Sequence, residues 1–159
     1  MRKRGNRIHQ VRRDATALIR AFGNPVPLPE SHGRKLGIAC HLALEAIRQG
    51  RGRDADMKQL AYALNIASAL CELGVGLDQH ASVQAAHNAL ACVGAVDCVS
   101  GRWRIDDAAY RAICEALAIH DLQLEAATHG QIGVAEEMIK VRLAAGDVVR
   151  VAVASDQTH

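Results

Sequence analysis

DADMKQLAYALNIASALCE, residues Asp54 to Glu72, is the stretch on which the fold turns. Between Lys58 and Glu72 it carries no charge. At helical spacing Met57, Leu60, Leu64 and Cys71 fall on one stripe, and Ile66, Leu70 and Leu73 fall on a second. A helix that is apolar on two sides has to be surrounded by other helices, so this segment belongs at the centre of a helical core. Its ends are marked as well. Asp54 is a favoured N-cap residue, and Gly74 is a favoured residue just past a C-terminus.

Reading outward from this helix, the pattern predicts four more around it. One runs from Ser31 to Gln49, with Leu36, Cys40, Leu44 and Ile47 on a stripe, and ends at Gly50-Arg51-Gly52. A second runs from Asp78 to about Cys92, with Val83, Leu90 and Val93 inward. A third starts at Asp106 or Asp107 and reaches Ala127, with Tyr110, Ile113, Leu117, His120 and Leu124 sharing a face. The fourth spans Thr128 to Ala145, where Glu136 and Lys140 are spaced for an outward i,i+4 pair. A further helix over Val11 to Phe22, stopped by Gly23-Asn24-Pro25, brings the total to six. Around Ser100-Gly101 both flanks alternate in polarity, which fits a short β-hairpin over 96–105.

Composition agrees with an all-α helical bundle. Half of the 159 residues are apolar, many of them alanine, and only Phe22, Tyr62, Trp103 and Tyr110 are aromatic. Alanine favours helix and close helix approach, whereas sheets want aromatic and β-branched residues. The expected organisation is a basic N-terminal arm and helix over 1–23, a linker over 24–30 holding all three prolines, a bundle over 31–147 and a tail over 148–159. The N-terminus has no apolar segment of a secretory signal, and no run of about 18 apolar residues occurs. The five cysteines are odd in number, and most fall on apolar helical faces. They read as reduced thiols in a cytoplasmic protein, without disulfides.

No pattern for catalysis, cofactor or metal stands out. The eight histidines and five cysteines form no CxxC, HxxxH or HExxH. His80 and His87 lie two turns apart, about 10.5 Å by helix rise. Cys114 and His120 are six apart and do not face each other, and Gly74-Val75-Gly76 follows a helix where a phosphate loop would follow a strand. The expectation is therefore no enzyme, no metal and no cofactor. Two polar residues, Asn65 and His120, fall among the apolar positions and read as satisfied core groups that fix helix register.

Charge is unevenly placed. Arg2, Lys3, Arg4, Arg7, Arg12, Arg13 and Arg20 face only Asp14 within residues 1–23, a net of +6 on a body of net −4. Such an arm suits phosphate contacts that read little sequence. Over 78–92, Gln84, His87 and Asn88 lie on a polar face able to meet base edges, and Leu73-Gly74-Val75-Gly76-Leu77 is compatible with a helix-turn-helix connection. The nucleic-acid-binding candidates are thus Arg2, Lys3, Arg4, Arg7, Arg12, Arg13, Gln84, His87 and Asn88. Alanine-rich faces at Ala85, Ala86 and Ala89, and at Ala108, Ala109, Ala112 and Ala116, point to self-association or a protein partner.

Several landmarks occur in order: Leu60-Ala61, Asn65-Ile66-Ala67, Leu73-Gly74-Val75-Gly76, Ala85-Ala86, Ala89-Leu90, Ser100-Gly101-Arg102-Trp103-Arg104-Ile105, His120-Asp121-Leu122-Gln123-Leu124 and Arg142-Leu143-Ala144-Ala145-Gly146. Over roughly residues 36–146 this order resembles small phage, prophage and plasmid accessory proteins of the Burkholderia and Ralstonia kind, some of which carry the label of Fis-family transcriptional regulators. The Fis fold is shorter and closes on a helix-turn-helix, whereas this chain closes on an acidic helix and an apolar tail. The resemblance therefore implies a mobile-element context more than an activity. The function expected is that of a non-enzymatic helical binding or regulatory protein that occupies a macromolecular partner. A DNA-binding transcriptional regulator, using the arm and the helix-turn-helix-like pair, is the alternative.

Overall fold

A computed structural model describes residues 26–27, 30–97 and 101–146. The basic arm, the helix expected over 11–22 and the tail over 148–159 lie outside them. The described chain is all-α. Its five helices are α1 (Glu30–Arg48), α2 (Asp54–Glu72), α3 (His80–Asp97), α4 (Asp107–Ala126) and α5 (His129–Ala145), with a 3₁₀ turn at Leu77–Gln79 before α3.

α2 packs against each of the other four helices. Its two apolar stripes serve two separate cores. Met57, Leu60 and Leu64 meet Cys40, Leu44 and Ile47 of α1, Ala86 and Leu90 of α3, and Ile113 and Leu117 of α4. On the other side Ile66, Ala69 and Leu70 meet Ala127 and α5 residues Ala135 and Ile139. Cys71 and Ala67 close a third, smaller cluster with Val83 and Ile119. Leu64 has no exposed surface. Leu64→Ala is therefore expected to destabilise the protein by about 2–5 kcal/mol, read as a lower midpoint in urea denaturation; a loss below about 1 kcal/mol would contradict the central placing of α2.

The ends of α2 show why its boundaries were nearly but not wholly readable. At the C-terminus Gly74 takes the left-handed conformation expected, with φ +89°. Its N–H donates to Cys71 O (3.0 Å), and the Val75 N–H donates to Leu70 O (2.9 Å), a complete Schellman closure. At the N-terminus the cap is Arg53, one residue before the expected Asp54. The Arg53 N–H donates to Asp56 Oδ2 (2.8 Å), while Asp54 is engaged elsewhere, accepting from Trp103 Nε1 at 2.7 Å.

That contact also corrects the hairpin expected over 96–105. Val96 and Asp97 continue α3, which runs past Cys92, and no strand occurs among the described residues. Trp103 pairs instead with Gly52 in an isolated bridge, its N–H donating to Gly52 O at 3.2 Å. The loop before α4 is thus folded back over the α1–α2 turn. α4 itself starts as expected, with the Asp106 carboxylate accepting from Ala109 N at 2.7 Å. α5 starts from a Thr128 capping box with Gln131. The residues just before α1 reach this point, because the His129 N–H donates to Val26 O at 2.8 Å. On α5 the expected Glu136–Lys140 pair does not form. Lys140 meets Glu137 at 2.8 Å, and Glu136 accepts from the Tyr62 hydroxyl at 3.4 Å.

Candidate functional site

The alanine-rich faces expected to be open are largely closed by the chain itself. Ala86, Ala109 and Ala116 are buried and Ala89 and Ala112 half-buried, leaving Ala85 and Ala108 exposed. Small side chains let α3 and α4 approach closely, and that intramolecular contact uses them. Beside it lies an open groove of about 470 Å³, lined by Ala89, Cys92, Val93, Arg104, Asp106, Ala108 and Ala109.

Uncovered apolar side chains also lie on α1 and α4. Leu42, Leu122 and Ile38 are 66%, 65% and 54% exposed, far more than side chains of that size leave open when packed. They surround the place where α1 and α4 are tied by His41 and Asp121, whose Nε2 and Oδ2 lie 2.9 Å apart. Gly37 makes that tie possible. A Cβ there would sit 2.5 Å from Asp121 Oδ1, so any larger residue would push the carboxylate away. Nearer the C-terminus of α1, the Arg48 guanidinium lies 4.5 Å from the centre of the Tyr110 ring, a second cross-link between the same helices.

Behind Asp121 the chemistry changes. His120 is buried, and its Nδ1 has no hydrogen-bond partner. Burial pushes its pKa down to about 4; the Asp121 carboxylate opposes the shift and His41 adds to it. Asn65 and His120, read from the sequence as satisfied core polar groups, occupy separate seams, and only Asn65 has the partner that reading expects, the His120 Nδ1 having none. Asn65 Oδ1 lies 3.2 Å from His87 Nε2 between α2 and α3. His87 is buried too, and its pKa is lowered chiefly by desolvation. Gln123 forms a third polar node. Its Nε2 donates to Val75 O (2.8 Å) and Ala67 O (3.0 Å) and lies 3.2 Å from Cys71 Sγ. The Cys71 thiol in turn donates to Gly76 O at 3.1 Å. This node fastens the α2–α3 turn onto α4. Burial raises the Cys71 and Cys40 thiols, so both stay protonated and unreactive.

The nucleic-acid candidates divide into three groups. Arg2, Lys3, Arg4, Arg7, Arg12 and Arg13 lie outside the described residues. Gln84 and Asn88 are exposed on α3, where the Gln84 amide donates to Asn88 Oδ1 at 3.2 Å. His87 is turned into the core, away from any groove of DNA. The α2–α3 connection holds a 3₁₀ turn and two positive-φ glycines, Gly74 and Gly76, making it longer than a helix-turn-helix link of three or four residues. Among the described residues no group of three or more His, Cys, Asp or Glu side chains is placed to hold a metal ion, and no helix is long and apolar enough to cross a membrane. Comparison with protein-family models, with curated proteins and with solved structures finds no match.

Proposed function

We propose that this chain is a non-enzymatic binding protein that acts by occupying a protein partner through its α1–α4 surface. The observation that carries the reading is the exposure of Leu42, Leu122 and Ile38 around the His41–Asp121 tie. An apolar patch interrupted by a polar pair is the usual composition of a contact surface. The buried titratable groups favour binding over catalysis as well. His87, His120, Cys40 and Cys71 are enclosed between helices, and burial holds each in its uncharged form. The resemblance over residues 36–146 supports a phage or mobile-element setting, and the odd number of cysteines, most of them on apolar helical faces, supports a cytoplasmic one.

One observation favours a second reading, a DNA-binding regulator: the +6 charge of residues 1–23. Photo-crosslinking separates the two. A photoreactive residue at Leu122 is expected to capture a protein that the same residue at exposed Ala81 on α3 does not. Leu42→Glu should abolish the capture. Retention on heparin that disappears when residues 1–23 are deleted, with no capture at Leu122, would instead put the regulator first.

A further inference from the structure

α1 presents two stripes. Cys40, Leu44 and Ile47 turn inward and are buried. The outer stripe consists of Lys35, Ile38, Leu42, Glu45 and Gln49, at intervals of three, four, three and four residues. That is the a/d spacing of a coiled coil, and among the described residues no other helix covers it. Ile38 and Leu42 are more than half exposed, and the Glu45 side chain is 43% exposed. Gln49, on the same stripe, donates to Glu45 Oε1 at 2.6 Å and so holds that carboxylate in place.

The stripe is self-complementary in one register only. If two copies cross antiparallel about a two-fold axis level with position 40, Ile38 faces the partner's Leu42. In the same register Lys35 faces the partner's Glu45, because both pairs are centred on position 40. Each layer then joins an a position to a d position, as antiparallel coiled coils require. A parallel pairing would oppose lysine to lysine and glutamate to glutamate. The charge pattern therefore selects the antiparallel arrangement, in which the apolar residues also meet each other.

We propose that the outer face of α1 is a homodimer seam, with two copies packed antiparallel, Ile38 on the partner's Leu42 and Lys35 on the partner's Glu45. This rests on reading the α1–α4 surface as an interface and names its occupant as a second copy of this chain. The contact is isologous, so it closes on a dimer and does not propagate. The stripe from Lys35 to Gln49 is about 21 Å long. A contact of that length falls in the small class, below about 1,200 Å² in total, where association is weak and concentration-dependent.

Sedimentation equilibrium of the full chain at tens to hundreds of micromolar tests the seam, with circular dichroism to check that each variant stays folded. The parent should show a monomer–dimer equilibrium that Leu42→Asp abolishes. Lys35→Glu and Glu45→Lys should each weaken dimerisation by roughly tenfold, since each places like charges in two symmetric layers. The double variant Lys35→Glu, Glu45→Lys should restore the parent constant. A chain that stays monomeric throughout overturns the seam, as does a dimer indifferent to Leu42→Asp. A double variant no tighter than the singles overturns the register. A monomer whose Leu122 photo-crosslink still captures another protein would sink this inference and leave the binding function standing.

Discussion

Trp103→Ala is expected to cost about 3–5 kcal/mol of stability, the largest loss among single truncations outside the helices. Trp103 is 1% exposed and packs in the core shared by α1, α2, α3 and α4, although it belongs to the loop before α4. Its indole N–H donates to Asp54 Oδ1 at 2.7 Å, and its backbone N–H donates to Gly52 O at 3.2 Å. The ring thus anchors the loop to the start of α2 and to the α1–α2 turn. The turn offers no room for adjustment. A Cβ on Gly52 would lie 2.4 Å from Ile47 Cγ1 and 2.9 Å from Ile47 Cα, which is backbone and cannot swing aside. Trp103→Phe separates the two contributions. It keeps most of the buried ring and removes the donor to Asp54, a half-exposed carboxylate that water can solvate in its place. Its expected cost is about 1 kcal/mol beyond the lost ring area. Urea denaturation of both variants gives the comparison. A Trp103→Ala loss under about 1 kcal/mol would show that the loop is not an anchor.

The two stripes of α2 were legible because each is a local periodicity of large apolar residues, and each is the contact face of a distinct core, except that Cys71, read with Met57, Leu60 and Leu64, packs in the smaller third cluster. The loop around Trp103 was not legible for the opposite reason. Four residues of alternating polarity on each side of Ser100-Gly101 resemble a hairpin, but the group that decides the matter is Gly52, far back in the sequence. His87 could have been placed correctly. It lies four residues after Val83 and three before Leu90, both inward by periodicity, so its position marks it as buried although its residue type suits a polar face. Gln123 carries the same signal, three residues after His120 and four before Ala127. For the alanine-rich faces of α3 and α4, sequence shows that a close approach is possible but not whether the approaching helix belongs to the same chain. The outer stripe of α1 is hidden in the sequence because the inner stripe of Leu36, Cys40, Leu44 and Ile47 already accounts for a one-sided helix. Only the exposures of Ile38 and Leu42 show that α1 has a second apolar face without a neighbour among the described residues.

The largest effect of solution conditions should come from acid. His120 has a folded-state pKa lowered to about 4 from an ordinary 6.5, with burial as the chief cause. A group lowered in this way contributes stability that is fully present above pH 6.5. The contribution is lost as the pH falls, because the unfolded chain then binds a proton that the folded chain refuses. With those two values the loss is about 2 kcal/mol by pH 5 and approaches about 3 kcal/mol below pH 4. His87, also lowered by burial, acts in the same direction as the pH falls below 6.5. Protonating His120 is costly for a structural reason: its Nδ1 has no acceptor in the core, so the charged ring would bury an unpaired donor. The Asp121 carboxylate offsets part of that cost and His41 adds to it. Urea midpoints measured from pH 7.5 to pH 4 should therefore fall steeply below pH 6.5, while the carboxylates are still largely ionised. His120→Leu should flatten most of the curve and leave the shallower slope due to His87. A parent curve level between pH 7 and pH 5, or one that His120→Leu leaves unchanged, would show that the buried imidazole does not set the acid limit of this fold.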